Sequence, residues 1–352
     1  MTPPVASEVT LDWTGPELLD VAEVQRADGD LLALDASGGI SCVDLQSMAV
    51  RLLGTLALPR TSVENSNASL VIPRWRLCAS ADGAFAAVFF DGGRHGFVIR
   101  LDRFETTMQL DGGDYYEETV PFSICFITRN EKTILVHRTE WNRLDASDPQ
   151  SGRLLTGRDL TPRENSERPP HYLDYFHGEL RSSPSGSRLF DAGWVWHPVG
   201  IPRVFDVVAW LTANVWESED GASVQWLSSR EDWNFPACWI DDDRIALGGT
   251  GDWDDDEFET LAAPPGVRIV DVRHGTKAPD RKLWMNAEPQ ELFTDGRLLF
   301  AFHGVDTSVW SVASGSCVKM LEGFAATHYH LRRKELLELK PHRIRLLATT
   351  FW

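Results

Sequence analysis

Residues 27–44 read ADGDLLALDASGGISCVD, and the fold can be predicted from the pattern in these eighteen residues. It contains an Asp-Gly turn, a short apolar run, a polar loop and a second apolar run that ends in Asp. Asp and Gly favour tight hairpin turns, and apolar runs of about four to six residues are typical of buried β-strands. The stretch therefore predicts short antiparallel strands.

The same pattern recurs about seven times along the 352-residue chain. Its turns lie at residues 27–29, 81–83, 129–131, 184–186, 242–243, 295–296 and 333–334. A spacing of roughly forty to sixty residues fits a four-stranded propeller blade with inserted loops. The sequence therefore predicts an all-β chain that forms a seven-bladed β-propeller of four-stranded antiparallel blades.

The register of the turns predicts the bounds of the blades within a single domain, 1–352. They are 18–58, 75–112, 121–160, 171–226, 234–283, 289–322 and 326–352, the last completed by 7–13. The seventh unit lacks room for a fourth strand, so the N-terminal segment is expected to supply it and remove a bare sheet edge. Residues 207–216 are expected to form a helix inserted between blades four and five.

Charge and cysteine content limit the classes of partner and the compartment. Lys and Arg number 34 and Asp and Glu number 52, a net charge of −18 that repels phosphate backbones. The five cysteines are odd in number and scattered, which argues against a disulfide framework. No apolar run is long enough for a membrane span. We expect a cytoplasmic protein with no cofactor and no nucleic-acid or membrane partner.

The second apolar run of several units ends in an apolar residue followed by Asp. The pairs are Val43-Asp44, Leu101-Asp102, Phe205-Asp206 and Val270-Asp271, with Trp310-Ser311 at the same place in blade six. In these pairs the chain resembles the bacterial WD-repeat-like seven-bladed propellers, where the pair is typically Trp-Asp and a Gly-His pair precedes each blade. The resemblance implies a rigid platform for partner proteins or, less often, an enzyme or ligand binder at the mouth of the channel.

Trp, His and Asp gather in the loops that the register assigns to one face. Loops between the second and third strands of each blade share that face with the connections between blades. Rigid aromatic side chains among polar groups are what binding hot spots need, although interblade packing is the other role open to these tryptophans. The candidate partner-binding residues are Trp141, Tyr172, Asp174, Asp191, Trp194, Trp196, His197, Trp233 and Trp253.

Two acidic or histidine-containing groups are candidate metal or acid–base sites. Residues 252–257 place Asp252, Asp254 and Asp256 at alternate positions, as a calcium loop does, although Glu257 stands where an EF-hand loop has glycine. A solvated acidic loop is the other interpretation. The second group brings metal-ligating residue types to the loops of blade four. Its members are His171, Asp174, His177, Asp191 and His197.

The chain has no motif for nucleophilic or nucleotide-dependent catalysis. A Gly-x-Ser-x-Gly elbow, a phosphate-binding loop and a dinucleotide glycine fingerprint are all missing from the sequence. No catalytic residue is therefore assigned, and we expect a non-catalytic scaffold that binds a protein partner through a Trp-rich acidic loop face. The alternatives are a metal-assisted hydrolase or lyase with Asp and His at the channel mouth, or a glycan-binding propeller. The oligomeric state stays open.

Overall fold

A computed structural model describes residues 8–59, 71–164, 166–196, 199–230, 236–252, 263–273, 280–350 and 352. The chain is all-β and forms a seven-bladed β-propeller of four-stranded antiparallel blades, which confirms the fold predicted from the repeat. Its contacts divide it into two compact units. Unit one comprises residues 1–60, 235–251 and 255–352, and unit two comprises 61–234 and 252–254.

Blades one to three follow strand β1 (Glu8–Asp12) in chain order. Blade one consists of β2 (Leu18–Arg26), β3 (Gly29–Asp35), β4 (Gly39–Asp44) and β5 (Ala49–Thr55). Blade two consists of β6 (Arg74–Ala79), β7 (Phe85–Asp91), β8 (His95–Arg100) and β9 (Glu105–Asp111), and a short 3-10 helix, Glu117–Thr119, follows it. Blade three consists of β10 (Ile124–Arg129), β11 (Lys132–Glu140) and β12 (Arg143–Ser147), and its outer edge is a single bridge from Ser147 to Leu154.

Blade four is the most elaborated blade. Its sheet consists of β13 (Leu180–Ser182), β14 (Arg188–Asp191), β17 (Arg203–Asp206) and β18 (Gln225–Trp226). A small hairpin of β15 (Trp194–Val195) and β16 (Val199–Gly200) lies between its second and third strands. Two short helices, α1 (Val207–Thr212) and α2 (Glu217–Asp220), precede its outer strand.

Blades five to seven belong to unit one. Blade five consists of β19 (Ala237–Trp239), β20 (Arg244–Gly248), β21 (Gly266–Asp271) and β22 (Arg281–Trp284). Blade six consists of β23 (Glu291–Thr294), β24 (Leu298–His303), β25 (Asp306–Ser311) and β26 (Cys317–Leu321). Blade seven consists of β27 (His328–His330), β28 (Glu335–Lys340) and β29 (Arg343–Ala348), with β1 as its fourth strand.

The N-terminal strand closes the last blade, as predicted. Strand β1 pairs antiparallel with β29, in a register that places Glu8 opposite Leu347 and Asp12 opposite Arg343. The Arg345 guanidinium donates to the Glu8 carboxylate at 2.7 Å, across the same pair of strands. A sheet edge that would otherwise expose unpaired backbone groups is therefore covered.

The recurrent Asp at the end of the third strand holds the following turn. The Asp44 carboxylate accepts from the Gln46 N–H at 2.9 Å, and the Asp271 carboxylate accepts from the Arg273 N–H at 3.0 Å. Asp206 accepts from the Ala209 N–H at 2.9 Å and so caps the N-terminus of α1. Because Asp binds backbone N–H groups two or three residues ahead, the motif is explained by local turn chemistry.

A helix forms within the expected range 207–216, but it is shorter than expected and belongs to blade four, not to the connection between blades four and five. Helix α1 ends at Thr212, and both helices lie inside blade four, between β17 and its outer strand β18. The expectation was wrong because β18 has only two residues, too few to form a recognisable apolar run. Trp210 of α1 is fully buried against Phe205, with ring centroids 5.5 Å apart, so the insertion is part of the core.

The core lies between adjacent sheets. In unit two, Val136 and Leu144 of blade three pack with Leu189 and Phe205 of blade four. Burial of apolar side chains contributes roughly 25 cal/mol per Å² removed from water, so these layers are the main source of stability. Interblade layers of this kind hold the loops of blades two to four on a rigid base.

Candidate functional site

Two loops of unit two are joined by backbone hydrogen bonds beneath the predicted tryptophans. The Phe176 N–H donates to the Trp194 carbonyl at 2.8 Å, and the Trp194 N–H donates to the Phe176 carbonyl at 3.0 Å. Phe176 lies in the connection from blade three to blade four, and Trp194 begins the hairpin of β15 and β16. This bridge fixes the two loops side by side.

A cluster of aromatic rings is built on that bridge. The rings of Phe176 and Trp194 are stacked, with centroids 4.3 Å apart and planes 7° from parallel. The ring of Trp196 is perpendicular to that of Trp194, with centroids 5.2 Å apart. Trp141 comes from the turn between β11 and β12, and its ring centroid lies 4.6 Å from that of Phe176. Tyr172 and Trp141 make an edge-to-face contact, with ring centroids 6.4 Å apart. Four predicted residues, Trp141, Tyr172, Trp194 and Trp196, are therefore brought together.

Two members of the cluster, Tyr115 and Tyr116, were not predicted. The ring centroids of Tyr115 and Trp141 are 4.9 Å apart. Those of Tyr116 and Trp196 are also 4.9 Å apart, and the planes of these two rings are nearly perpendicular, at 82°. Both tyrosines lie in the connection from blade two to blade three. The register rule assigns every such connection to this face, so applying it between β9 and β10 would have found them.

The backbone around the tyrosines has conformations that residues other than glycine rarely adopt. Tyr116 has a φ of 49° and precedes the 3-10 helix, and Gly113 has a φ of 81°. A Cβ at Gly113 would lie 2.7 Å from the Glu140 side chain and 3.0 Å from the Trp141 backbone nitrogen. Such strained positions cost of order 1–3 kcal/mol for residues other than glycine, and they persist only where the surroundings fix them.

The cluster has a buried base and an exposed surface. Phe176 and Trp194 are fully buried, whereas Tyr115, Tyr116 and Trp196 are 43, 45 and 41% exposed. Trp141 and Tyr172 are partly buried. We call the exposed layer the aromatic patch; it consists of Tyr115, Tyr116, Trp141, Tyr172 and Trp196.

Carboxylates border the tyrosine side of the aromatic patch. Asp114 directly precedes Tyr115, and its side chain is 83% exposed. Arg94 donates to both oxygens of Asp111, at 2.8 and 2.6 Å, and lies 3.2 Å from Asp114. Its hydrogen bond lowers the pKa of Asp111. Burial raises the pKa of Glu117 against the pull of Arg94, whose nearest nitrogen is 4.0 Å away.

Arginine already covers one ring of the patch. The Arg168 guanidinium lies 4.4 Å above the centre of the Tyr172 ring. Burial, followed by the nearby Asp174 carboxylate, raises the pKa of Tyr172. Asp174 itself is exposed at this edge. Beside it, the ring of His171 stacks on Trp216 at 4.7 Å and bonds to Asp220 at 2.9 Å.

Asp191 is fully buried and is engaged within the fold. Its carboxylate accepts from His177 Nδ1 at 2.8 Å, from the Gly178 N–H at 3.0 Å and from Arg203 Nε at 3.3 Å. Burial would raise the pKa of Asp191, but His177, Arg203 and the backbone N–H outweigh it and lower the pKa. Burial lowers the pKa of His177, which is therefore neutral beside a charged Asp191.

The Asp191 group continues into a chain of buried charges. Arg203 donates to the Glu219 carbonyl at 3.3 Å, and its guanidinium lies 4.2 Å over the Tyr175 ring. Arg158 bonds to the Glu219 carboxylate and, at 2.5 Å, to Asp145. These contacts tie blade three to the helices of blade four. Asp191 and His177 have no exposed face at which a substrate could be bound.

Of the predicted metal ligands that the structure describes, His177 and Asp191 are in contact, at 2.8 Å, but no third predicted ligand joins them. Of the acidic loop only Asp252 belongs to that part, and its carboxylate accepts from the Ser229 N–H at 3.2 Å. Asp254, Asp256, His197, Trp233 and Trp253 lie outside the described residues. Among the described residues, no three His, Cys, Asp or Glu side chains are placed to hold a metal ion.

Comparison with protein-family models and with curated sequences finds no match. Within the described ranges, none of the helices has the length and apolarity needed to cross a bilayer. The resemblance to WD-repeat-like propellers therefore remains a prediction.

Proposed function

We propose that this propeller is a non-catalytic scaffold that binds a protein partner through the aromatic patch. The observation that carries the proposal is the contact of Tyr116 with Trp196, two large rings from different loops that are each more than two-fifths exposed. Contiguous exposed rings are uncommon on soluble surfaces unless they form an interaction site.

The base of the cluster suits such a role. Phe176 and Trp194 are buried and joined through the backbone, so the rings above them are held in place before a partner arrives. Rigid aromatic side chains lose little conformational entropy on binding and are enriched among hot spots. Trp194 and Asp191 would support the patch from beneath, whereas Trp196 would contact the partner.

The test is capture of a partner by the full chain and by two variants. The double variant Y116A/W196A removes two exposed rings and leaves the buried base intact. The control is W226A, because Trp226 is 60% exposed on β18 and outside the patch. Binding of the captured and purified partner should weaken about a hundredfold in Y116A/W196A and stay unchanged in W226A. Equal affinity of both variants would exclude this surface.

We also propose a cytoplasmic location, which the cysteines support. Cys42, Cys78, Cys125, Cys238 and Cys317 are free thiols, and Cys317 is exposed. Free thiols are typical of proteins in reducing compartments. Labelling of unfolded protein drawn directly from cells should detect five thiols per chain, and fewer would contradict this location.

A further inference from the structure

We infer that the partner segment recognised by the aromatic patch is an arginine-containing basic peptide. This inference rests on the proposed function, because it names the chemistry of the partner that the same surface would bind. Three observations lead to it: the charge beside the rings, the exposure of those rings, and the way the chain's own arginines pack.

The charge beside the rings is negative. Residues 111–118 contain Asp111, Asp114, Glu117 and Glu118, with no Lys or Arg among them. Arg94 lies within 4.0 Å of the first three of these carboxylates and is shared between them, and Arg138 also attracts Asp111 and Glu117. The carboxylates of this segment still outnumber the arginines, and Asp114, with a side chain that is 83% exposed, directly precedes Tyr115. The whole chain, at −18, adds to the attraction for a basic segment.

The exposed rings can receive a cation. Tyr116 stands nearly perpendicular to both Tyr115, at 81°, and Trp196, at 82°. The ring planes of these exposed residues are therefore turned in different directions. The face of an aromatic ring carries negative charge density, and Lys or Arg within about 6 Å of its centre is attracted to it.

The chain's own arginines show how a guanidinium packs on an aromatic ring in this region. At the patch, Arg168 lies 4.4 Å over Tyr172, and the buried Arg158 lies 5.1 Å over Trp216. A planar guanidinium stacks on a ring and is more weakly hydrated than an ammonium group, so arginine is favoured over lysine. A partner arginine would make the same contact on Trp196 and Tyr116, with carboxylates beside it.

The experiment measures binding of fluorescein-labelled peptides to the full chain by anisotropy. Three peptides of equal length are used, with alternating Gly-Arg, Gly-Lys and Gly-Glu sequences. The Gly-Arg peptide should bind most tightly and Gly-Lys several-fold more weakly, and Gly-Glu should not bind. Affinity for Gly-Arg should fall as salt is raised, because charges are screened.

Variants separate ring contact from general charge attraction. W196A should weaken Gly-Arg binding about tenfold, whereas W196F keeps a ring and should retain most of the affinity. D114N should weaken binding about threefold, and W226A should leave it unchanged. Circular dichroism and thermal melting of each variant establish that it is folded. Equal weakening in W226A and W196A, or equal binding of Gly-Arg and Gly-Glu, would overturn the inference.

Failure of the inference is distinguishable from failure of the proposed function. If Y116A/W196A loses the captured partner while no basic peptide binds the wild type, the scaffold stands and the arginine chemistry is wrong. If the same variant loses binding to a glycan array instead, both proposals are overturned in favour of a glycan-binding surface. Binding of Gly-Arg that depends on Trp196 supports both.

Discussion

Phe176 and Trp194 stack face to face, with ring centroids 4.3 Å apart and planes 7° from parallel. The same two residues exchange backbone hydrogen bonds, so one pair joins two loops both through the main chain and through the rings. Because both side chains are fully buried, the pair acts as the floor of the aromatic patch. The stability of that floor and the affinity of the surface above it are therefore separable by mutation.

The first prediction separates Trp194 from Trp196. W194A removes a fully buried indole and leaves a cavity, and should lower the free energy of unfolding by about 3–5 kcal/mol. W196A removes a ring that is 41% exposed, and should cost roughly 1 kcal/mol. Urea unfolding monitored by circular dichroism measures both. Equal losses would mean that Trp196 is part of the core.

The second prediction concerns the buried charges. D191N leaves Arg203 without the charge of its buried partner and should lower the free energy of unfolding by about 3–5 kcal/mol. D102N, in an exposed pair with Arg100, should cost under about 1 kcal/mol. Purified D191N should therefore unfold at clearly lower urea than D102N. If D191N unfolded at the same urea concentration as the wild type, this network would add nothing to stability.

The third prediction is a pH dependence that comes from buried histidines. Burial lowers the pKa of His177 and of His137 in the folded protein. In mildly acidic solution these two histidines therefore bind protons more readily in the unfolded chain than in the folded chain. Stability should be fully present above the ordinary histidine pKa, near 6.5, and should decline as the pH falls below it. Each group contributes a slope of up to about 1.4 kcal/mol per pH unit.

Melting temperatures at pH 7.5 and 5.5 test this dependence. H137Q keeps a group able to bond with Ser147, whose hydroxyl lies 2.9 Å from His137 Nε2, but it cannot take up a proton. The drop in melting temperature should therefore be smaller in H137Q than in the wild type. An identical drop in the two proteins would assign the effect to other groups.

The fourth prediction tests the recurrent Asp. D206A removes the cap of α1 and should lower the free energy of unfolding by about 1 kcal/mol. D206N retains a capping oxygen and should lose only a few tenths of that amount. Unfolding in urea compares the two. If both variants lost the same amount, the charge of Asp206 and not its cap would matter.

The repeat predicted the ring because turn chemistry and apolar runs are local properties. Residues 27–44 contain the turn, two strands and the capping Asp in one stretch, and blade one has those elements. Closure by residues 8–12 followed from counting strands. Strand β18, with two residues, and the hairpin of β15 and β16 depend on tertiary contacts, so the sequence did not reveal them.

The candidate site was predicted in part, for similar reasons. The repeat register predicted which loops share one face of the propeller. That prediction placed Trp141, Tyr172 and Trp196 together. The opposite burial of Trp194 and Trp196 could not be predicted, because residues two apart share a face in a strand. Strand β15 ends at Val195, and Trp196 lies beyond it in a turn.

The last prediction concerns Gly113, which spaces the tyrosine loop from Trp141. With φ at 81°, and with a Cβ that would lie 3.0 Å from the Trp141 nitrogen, G113A suffers both backbone strain and a clash. G304A is the matched control, because Gly304 has a φ of 72° but its Cβ would meet nothing within 4 Å. Both variants should lose about 1 kcal/mol of stability from the left-handed backbone. Only G113A should also shift the tryptophan emission and weaken Gly-Arg peptide binding, because it displaces Tyr115 from Trp141. Equal emission and affinity in the two variants would mean that the tyrosine loop is not positioned by this glycine.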